Sequence, residues 1–231
     1  MYPPMSEAVL VTLEDKIAKS QAVLREALDR FGAKIALAWT GGKDSTTALH
    51  LLKEVGGGRV SIPVLNIDTG AKFKEIYEFR DRLAAEWQLD LRIERNDEAL
   101  KTIRHAQDVA ECCHLLKTVV INQSLEKYGW EALITGTRWD EQPDRAAETY
   151  FAAREHPPHV RVQPILHFTE KDIWQYIRTY KLPFCSLYRK GYRSLGCEPC
   201  TRRGAAAGPE RGGRDQNKEE IMDRLRRLGY F

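Results

Sequence analysis

No run of roughly 18 or more apolar residues occurs in this chain, and its opening Met1-Tyr2-Pro3-Pro4-Met5-Ser6-Glu7 lacks a basic stretch followed by an apolar one. Those absences argue against a membrane span and a secretory leader, and the expectation is a cytoplasmic protein. An excess of one charge is missing too. Lys and Arg number 36 against 33 Asp and Glu, a net charge of +3, which gives no general argument for nucleic acid or a membrane surface as partner. No internal repeat is visible, and no glycine pattern of the dinucleotide-binding or Walker type is present. Cysteine is scarce but uneven. The five cysteines are an odd number in a 231-residue chain that is long enough to bury a core without disulfide staples. In a reducing compartment, clustered cysteines point to metal or to chemistry.

Most of the chain alternates strand and helix patterns. Leu13 to Phe31 repeats apolar side chains at helical spacing, with Ile17, Leu24 and Leu28 among them. The apolar run Lys34-Ile35-Ala36-Leu37-Ala38-Trp39 reads as a buried strand and is followed by Thr40-Gly41-Gly42-Lys43-Asp44-Ser45 and a helix over Thr46 to Val55. Strand patterns at Ser61 to Ile67, Asp90 to Arg95 and Ala132 to Thr135 alternate with helix patterns at Lys74 to Trp87 and Thr118 to Tyr128. A strand at Val160 to Pro164 precedes a helix over Thr169 to Tyr180, which Thr169 and Asp172 suit as its start. This order predicts an α/β fold, doubly wound, with a mainly parallel sheet and helices on both faces. It divides the chain into an N-terminal helical segment (1–30), a nucleotide-binding domain (31–205) and a flexible tail with a short helix (206–231). Residues 201–219, rich in Gly, Arg and Ala, read as a mobile segment, and Glu220 to Leu228 as a last helix.

The glycine turn after the first strand has the chemistry of a phosphate cradle. Gly41 and Gly42 let the backbone approach an anion, a helix N-terminus offers unpaired N–H groups, Lys43 adds charge, and Thr40 and Ser45 add hydroxyls beside Asp44. Further cations are placed by the pattern at strand ends. Arg138 follows Thr135-Gly136-Thr137, Arg145 follows Asp140-Glu141, and Asp68-Thr69-Gly70 ends the second strand, all at the edge where open α/β sheets bind ligands. The alternative for any one of these is a solvated surface charge. His50, His114 and His167 sit in no nucleophile arrangement, so packing or surface roles are expected.

Cys112 and Cys113 are adjacent, and Cys197-Glu198-Pro199-Cys200 is a C-x-x-C pair. Two close thiolate pairs suit zinc or an iron–sulfur cubane. Neighbouring cysteines reach one tetrahedral ion poorly, whereas a cubane offers four iron corners. The expectation is therefore a [4Fe–4S] cluster on Cys112, Cys113, Cys197 and Cys200, with zinc, a redox disulfide or inert buried thiols as alternatives.

The turn resembles the pyrophosphate loop (PP-loop), usually Ser-Gly-Gly-x-Asp-Ser, of the adenine nucleotide α-hydrolase superfamily, with Thr40 in place of the first serine. Over residues 30–205, Cys112-Cys113-His114-Leu115-Leu116-Lys117, Thr135-Gly136-Thr137-Arg138-Trp139-Asp140 and Gly196-Cys197-Glu198-Pro199-Cys200 together resemble the adenylylsulfate and phosphoadenylylsulfate reductases. The resemblance implies an adenine nucleotide or sulfonucleotide bound across Thr40–Ser45, Asp68, Thr69, Gly136, Arg138 and Arg145. It also implies a cluster on the four cysteines, with Lys117 near both cluster and sulfate, and thioredoxin or another thiol or sulfur donor as partner. Two departures stand out. The reductases carry a nucleophilic cysteine near the C-terminus, and no cysteine follows Cys200 here; Cys185 is either a substitute or a buried thiol. The loop is also intact, as in ATP users such as the small subunit of two-subunit sulfate adenylyltransferase, which Asp81, Arg161-Val162-Gln163-Pro164 and Asp172-Ile173-Trp174 also resemble.

Three readings stand. Residues 112–205 favour a sulfonucleotide reductase in which Lys117, Arg138 and Cys185 act on the substrate. The loop favours an ATP-using PP-loop enzyme that adenylylates sulfate or transfers sulfur. A non-catalytic nucleotide and cluster sensor is the third. A homo-oligomer is left open.

Overall fold

The computed structural model describes residues 11–205 and 207–221. In chain order the helices are α1 (Leu13–Phe31), α2 (Lys43–Val55), α3 (Lys74–Glu86), α4 (Asp97–Thr102), α5 (Val109–Cys113), α6 (Val119–Tyr128), α7 (Glu170–Thr179) and α8 (Gln216–Glu220). The strands are β1 (Ile35–Ala38), β2 (Val64–Ile67), β3 (Leu91–Glu94), β4 (Ala132–Ile134), β5 (Phe151–Glu155) and β6 (Pro158–Val162). They form one sheet in the order β3-β2-β1-β4-β6-β5, parallel throughout except for β5, which pairs antiparallel with β6. The predicted α/β architecture is thus present. The hairpin strand β5 was not expected, because Phe151-Ala152-Ala153-Arg154-Glu155 lacks the alternation that marks a half-buried strand.

Alternation along β1 decides which helix lies on which face. Ile35 and Leu37 point into the larger core with Leu24 and Ala27 of α1, Leu49 and Leu52 of α2, Phe79 and Leu83 of α3, and Ile173 and Ile177 of α7. Ala36 points the other way, with Leu65, Leu133, Trp130 and Leu125 of α6. Each of Leu24, Leu37, Leu49 and Leu51 is wholly buried, so truncating any one costs about 2–5 kcal/mol. That outweighs the ~0–1 kcal/mol of an exposed ion pair such as Lys34–Glu131, so packing rather than surface charge holds the scaffold.

Capping explains two helix starts. Thr12 and Asp15 close a reciprocal capping box at α1, and Thr169 and Asp172 do so at α7, as the sequence predicts. Asp172 also takes Lys16 Nζ at 2.5 Å, tying α1 to α7. The helix α2 begins at Lys43, three residues before the predicted start, which puts half of the glycine turn inside its first turn. The expected last helix over Glu220 to Leu228 lies for the most part outside the described residues. Among the described residues no helix is long and apolar enough to cross a membrane.

Candidate functional site

The chain runs from β1 outward to β3 and returns to β4 on the other side of β1, so the connections after β1 and β4 diverge above the sheet. Ligands bind at such a reversal in open α/β sheets. Here the two connections touch. A Cβ on Gly136 would lie 2.7 Å from Ser45 N and 2.8 Å from Ser45 Cα, so only glycine lets the β4 connection rest on the first turn of α2. Gly41 has φ 78°, a left-handed backbone that turns the chain from strand to helix. Thr40 and Ser45 close the turn, their hydroxyls 3.0 Å apart, and Thr40 Oγ1 also accepts from the Gly42 N–H. Lys43 N–H donates to the Tyr188 hydroxyl at 2.8 Å.

A cavity of about 290 Å³ opens at this reversal. Thr40, Gly42, Asp44, Ser45 and Gly136 form its wall from the turn, and Ala38, Leu65, Ile67 and Leu133 give it an apolar floor. Cations line the remainder: Lys72, Lys117, Arg145, Arg161, Arg211 and Arg214. Glu141 sits among them. Burial opposes its charge, but Arg145 and Arg211 override that and hold its carboxyl down to about 2.

Lys43 and Arg138 are brought to the turn but do not line this cavity. Both are buried in an ion cluster behind it. Arg138 donates to Asp44 at 2.6 Å, to Asp140 at 2.9 Å and to both oxygens of Glu210; Lys43 reaches Asp44 at 3.1 Å and also Glu210. Burial alone would lower both cations, yet the surrounding carboxylates raise them above their ordinary values. Glu210 belongs to the segment read from sequence as mobile. That segment folds back: Arg211 pairs with Glu141 and Glu219, Arg193 donates to Gly208 O, and Thr201 bridges Arg214. Arg189, Arg202 and Arg203, near the C-x-x-C pair in sequence, are exposed.

The four cysteines share a second, smaller pocket. Cys112, Cys113, Cys197 and Cys200 are all buried and line it with Thr69, His105, Val109 and Lys117. A π-turn at His114–Thr118 joins α5 to α6 and places Lys117 over Cys113, Nζ to Sγ 3.8 Å. Thr69 Oγ1 lies 3.2 Å from Cys197 Sγ. Burial pushes the Cys112 thiol above its ordinary value. Among the described residues no three His, Cys, Asp or Glu side chains are grouped closely enough to hold a metal ion, so the sulfurs face one pocket without closing on it. As a donor set they still suit a sulfur-ligated group: four thiols, two elements, one wall, and a cation beside them. Thr69, Lys117 and Cys197 line both the cavity and this pocket.

Two expected site residues lie apart. Asp68 serves the turn after β2, accepting from Gly70 N–H at 2.9 Å and from Tyr77 at 2.6 Å. Cys185 is wholly buried in the larger core, where burial raises its thiol, and it lines neither pocket. Two of the three histidines have packing roles: His50 bonds Tyr176, and His167 sits between Lys16 O and Tyr150, whereas His114 Nδ1 is buried without a hydrogen-bond partner among the described residues. Sequence reasoning missed Lys72, Arg211 and Arg214, because nothing local separates them from the other basic residues, and it singled out Arg161 only as part of a resemblance, not as a cavity cation.

Residues 34–203 match the family model of the phosphoadenosine phosphosulfate reductase domain. Sulfate adenylyltransferase subunit 2 of Xanthomonas oryzae pv. oryzae is 37% identical over 217 residues, covering 80% of this chain and 68% of that protein. Two solved structures share the fold. Phosphoadenylyl-sulfate reductase of Candida auris superposes with TM-score 0.67 at 19% identity, over 81% of this chain and 94% of the other. FMN adenylyltransferase of Candida glabrata, in complex with FAD and inorganic pyrophosphate, gives 0.67 at 21% identity, over 90% and 74%. With the PP-loop fold and most of its length accounted for, the chain belongs to the phosphoadenosine phosphosulfate reductase domain family, among relatives named sulfate adenylyltransferase subunit 2.

Proposed function

We propose that this protein is an ATP-using adenylyltransferase of sulfur metabolism, acting on an inorganic oxyanion such as sulfate. The observation that carries the reading is the placement of the cysteines. The cavity holds the intact turn Thr40–Ser45, whereas Cys185 lies in the core and the only cysteine on the cavity wall, Cys197, belongs to the four-cysteine pocket. A reductase working through its own thiol needs a free sulfur at the bound nucleotide. None is offered among the described residues. The names of the curated relatives favour the same reaction.

In this reading the apolar floor at Leu65, Ile67 and Leu133 takes the adenine, and the α2 N-terminus with Thr40 and Ser45 takes the phosphates. An acceptor oxygen attacks the α-phosphorus, the bond from that phosphorus to the bridging oxygen breaks, and pyrophosphate leaves with the electron pair. Arg145, Arg161 and Arg211 stabilise the charge that develops on the phosphoryl oxygens. Cys112, Cys113, Cys197 and Cys200 are assigned to a [4Fe–4S] cluster, which would supply a fixed local charge at the acceptor end. Lys117, 3.8 Å from Cys113 Sγ and on the wall of both pockets, would lie beside the cluster and reach the acceptor. The relatives' name implies a second, different subunit.

The test is exchange of labelled pyrophosphate into ATP by the chain together with its partner subunit, with and without sulfate. Oxyanion-dependent exchange is expected. Sulfite release from a sulfonucleotide with thioredoxin, in the absence of exchange, would establish instead the reductase reading, which the shared walls of cavity and cysteine pocket also accommodate.

A further inference from the structure

Lys43 is the residue of the turn that the sequence offers to phosphate, yet neither its ammonium nor its backbone N–H meets the cavity directly. The ammonium is held behind the wall by Asp44 and Glu210. The backbone N–H, one of the donors that the first turn of α2 leaves without a helical acceptor, is taken by the Tyr188 hydroxyl at 2.8 Å. Tyr188 lines the cavity, whereas Lys43 does not. What stands on the wall in place of Lys43 is therefore a phenol.

Tyr188 belongs to the short 3-10 turn Ser186–Lys190, and its ring is fixed by its neighbours. Trp174 of α7 meets it edge-on at 5.3 Å and 84°, and Phe184 at 6.4 Å and 65°. A phenol has one proton to donate and lone pairs to accept with. The Lys43 N–H uses a lone pair, and no group among the described residues accepts the proton. Burial pushes this hydroxyl above its ordinary value, so it stays protonated. Gly42 shows where that proton can be used. Its φ of −78° suits any residue, so the backbone does not call for glycine there. A Cβ at that position would lie 3.3 Å from Thr40 Oγ1 and 3.6 Å from Tyr188 Oη. The missing side chain leaves a notch between two hydroxyls at the N-terminus of α2.

We propose that Tyr188 is a specificity-determining residue, whose hydroxyl donates to an oxygen of the pyrophosphate group of a bound nucleotide seated in the notch over Gly42. Lys43 N–H donates to Tyr188 Oη, and Tyr188 O–H donates to the phosphate. That chain carries the partial positive charge of the α2 N-terminus one side chain further into the cavity. A neutral donor suits the place, because the charges of Lys43 and Arg138 are already answered by Asp44 and Glu210. A nucleoside monophosphate has no pyrophosphate group to offer, so Tyr188 separates the two classes of ligand. The inference rests on a pyrophosphate-bearing ligand at the turn, as in the adenylyltransferase reading, and not on adenylyl transfer itself.

The experiment compares the wild-type protein with Tyr188→Phe, which keeps the ring and its edge contacts. The control is Tyr192→Phe, whose ring packs on Phe73 and lines neither pocket. Calorimetry follows the binding of inorganic pyrophosphate, a non-hydrolysable ATP analogue and AMP, alongside thermal unfolding. Tyr188→Phe is expected to weaken pyrophosphate and the ATP analogue by about tenfold or more, the loss of one hydrogen bond to a charged group. The affinity for AMP changes by less than about twofold, and Tyr192→Phe leaves all three unchanged. A hydroxyl that merely caps α2 gives a different pattern. Its removal frees the Lys43 N–H for phosphate, so pyrophosphate binding stays level or tightens while Tm falls. That result overturns the proposal, and so does an equal loss for AMP and the ATP analogue, or a wild-type protein that binds no pyrophosphate. If pyrophosphate binds through Tyr188 but the wild type exchanges none into ATP, the adenylyltransferase reading falls alone.

Discussion

Glu210 places its carboxylate against Arg138, whose Nη2 donates to both oxygens at 2.8 and 2.6 Å, and the same carboxylate reaches Lys43. A segment some 70 residues downstream of the β4 connection thus neutralises the two cations that the turn brings together. A phosphate approaching Lys43 or Arg138 must compete with that carboxylate.

Replacing Glu210 by Ala should therefore do two opposite things. Each cation keeps Asp44 as a partner, so the stability loss should be moderate, about 1–3 kcal/mol. Binding of pyrophosphate should tighten. Thermal unfolding with increasing pyrophosphate checks both: Tm falls without ligand, and the ligand-induced rise exceeds that of the wild type. A smaller rise would show that Glu210 helps the site rather than competing with it.

At the contact between the β4 connection and α2, Gly136→Ala should be severe. Its Cβ would meet backbone atoms of Ser45 and Asp44 below 3 Å, and neither can move as a flexible side chain would. An overpacking cost of about 1–3 kcal/mol is expected, with ATP affinity lost along with the turn geometry. Equilibrium dialysis with ATP and denaturant unfolding measure the two effects.

Acid should destabilise the protein through His167. The ring donates from Nε2 to Lys16 O and accepts at Nδ1 from Tyr150, an arrangement that satisfies the neutral form. Burial draws its pKa to about 4 from an ordinary value of 6.5. The folded state therefore binds its proton later than the unfolded state, so this contribution is fully present above pH 6.5 and is lost as pH falls toward 4. It is on the order of 3 kcal/mol. Urea titrations across that window should show a shallower loss of stability in His167→Gln than in the wild type.

The cysteine assignment separates by position. Serine in place of Cys112, Cys113, Cys197 or Cys200 should remove bound iron and sulfide together with the visible absorbance of the anaerobically purified protein. Cys185→Ser should leave both unchanged and only lower Tm, since that thiol lies in the larger core. Stoichiometric zinc without sulfide in the wild type would replace the cluster by a zinc site.

Much of the scaffold was legible in the chain itself, because strand and helix signals are local. The run Ile35 to Ala38 with its glycine turn, the Thr169–Asp172 box and the adjacent cysteines each announce their structure within a few residues. The sequence alone thus determined the α/β class, the turn after the first strand and the four-cysteine set. Which cations line the cavity was decided only by tertiary structure. Lys43 and Arg138 follow strand ends and read as ligands, yet long-range pairing with Glu210 draws them behind the wall. Lys72 and Arg214, indistinguishable locally from other basic residues, meet at one corner because Lys72 bridges Cys197 and Arg214 packs on Gly196. Charge compensation depends on neighbours distant in sequence, so which cations are paired becomes visible only in the fold.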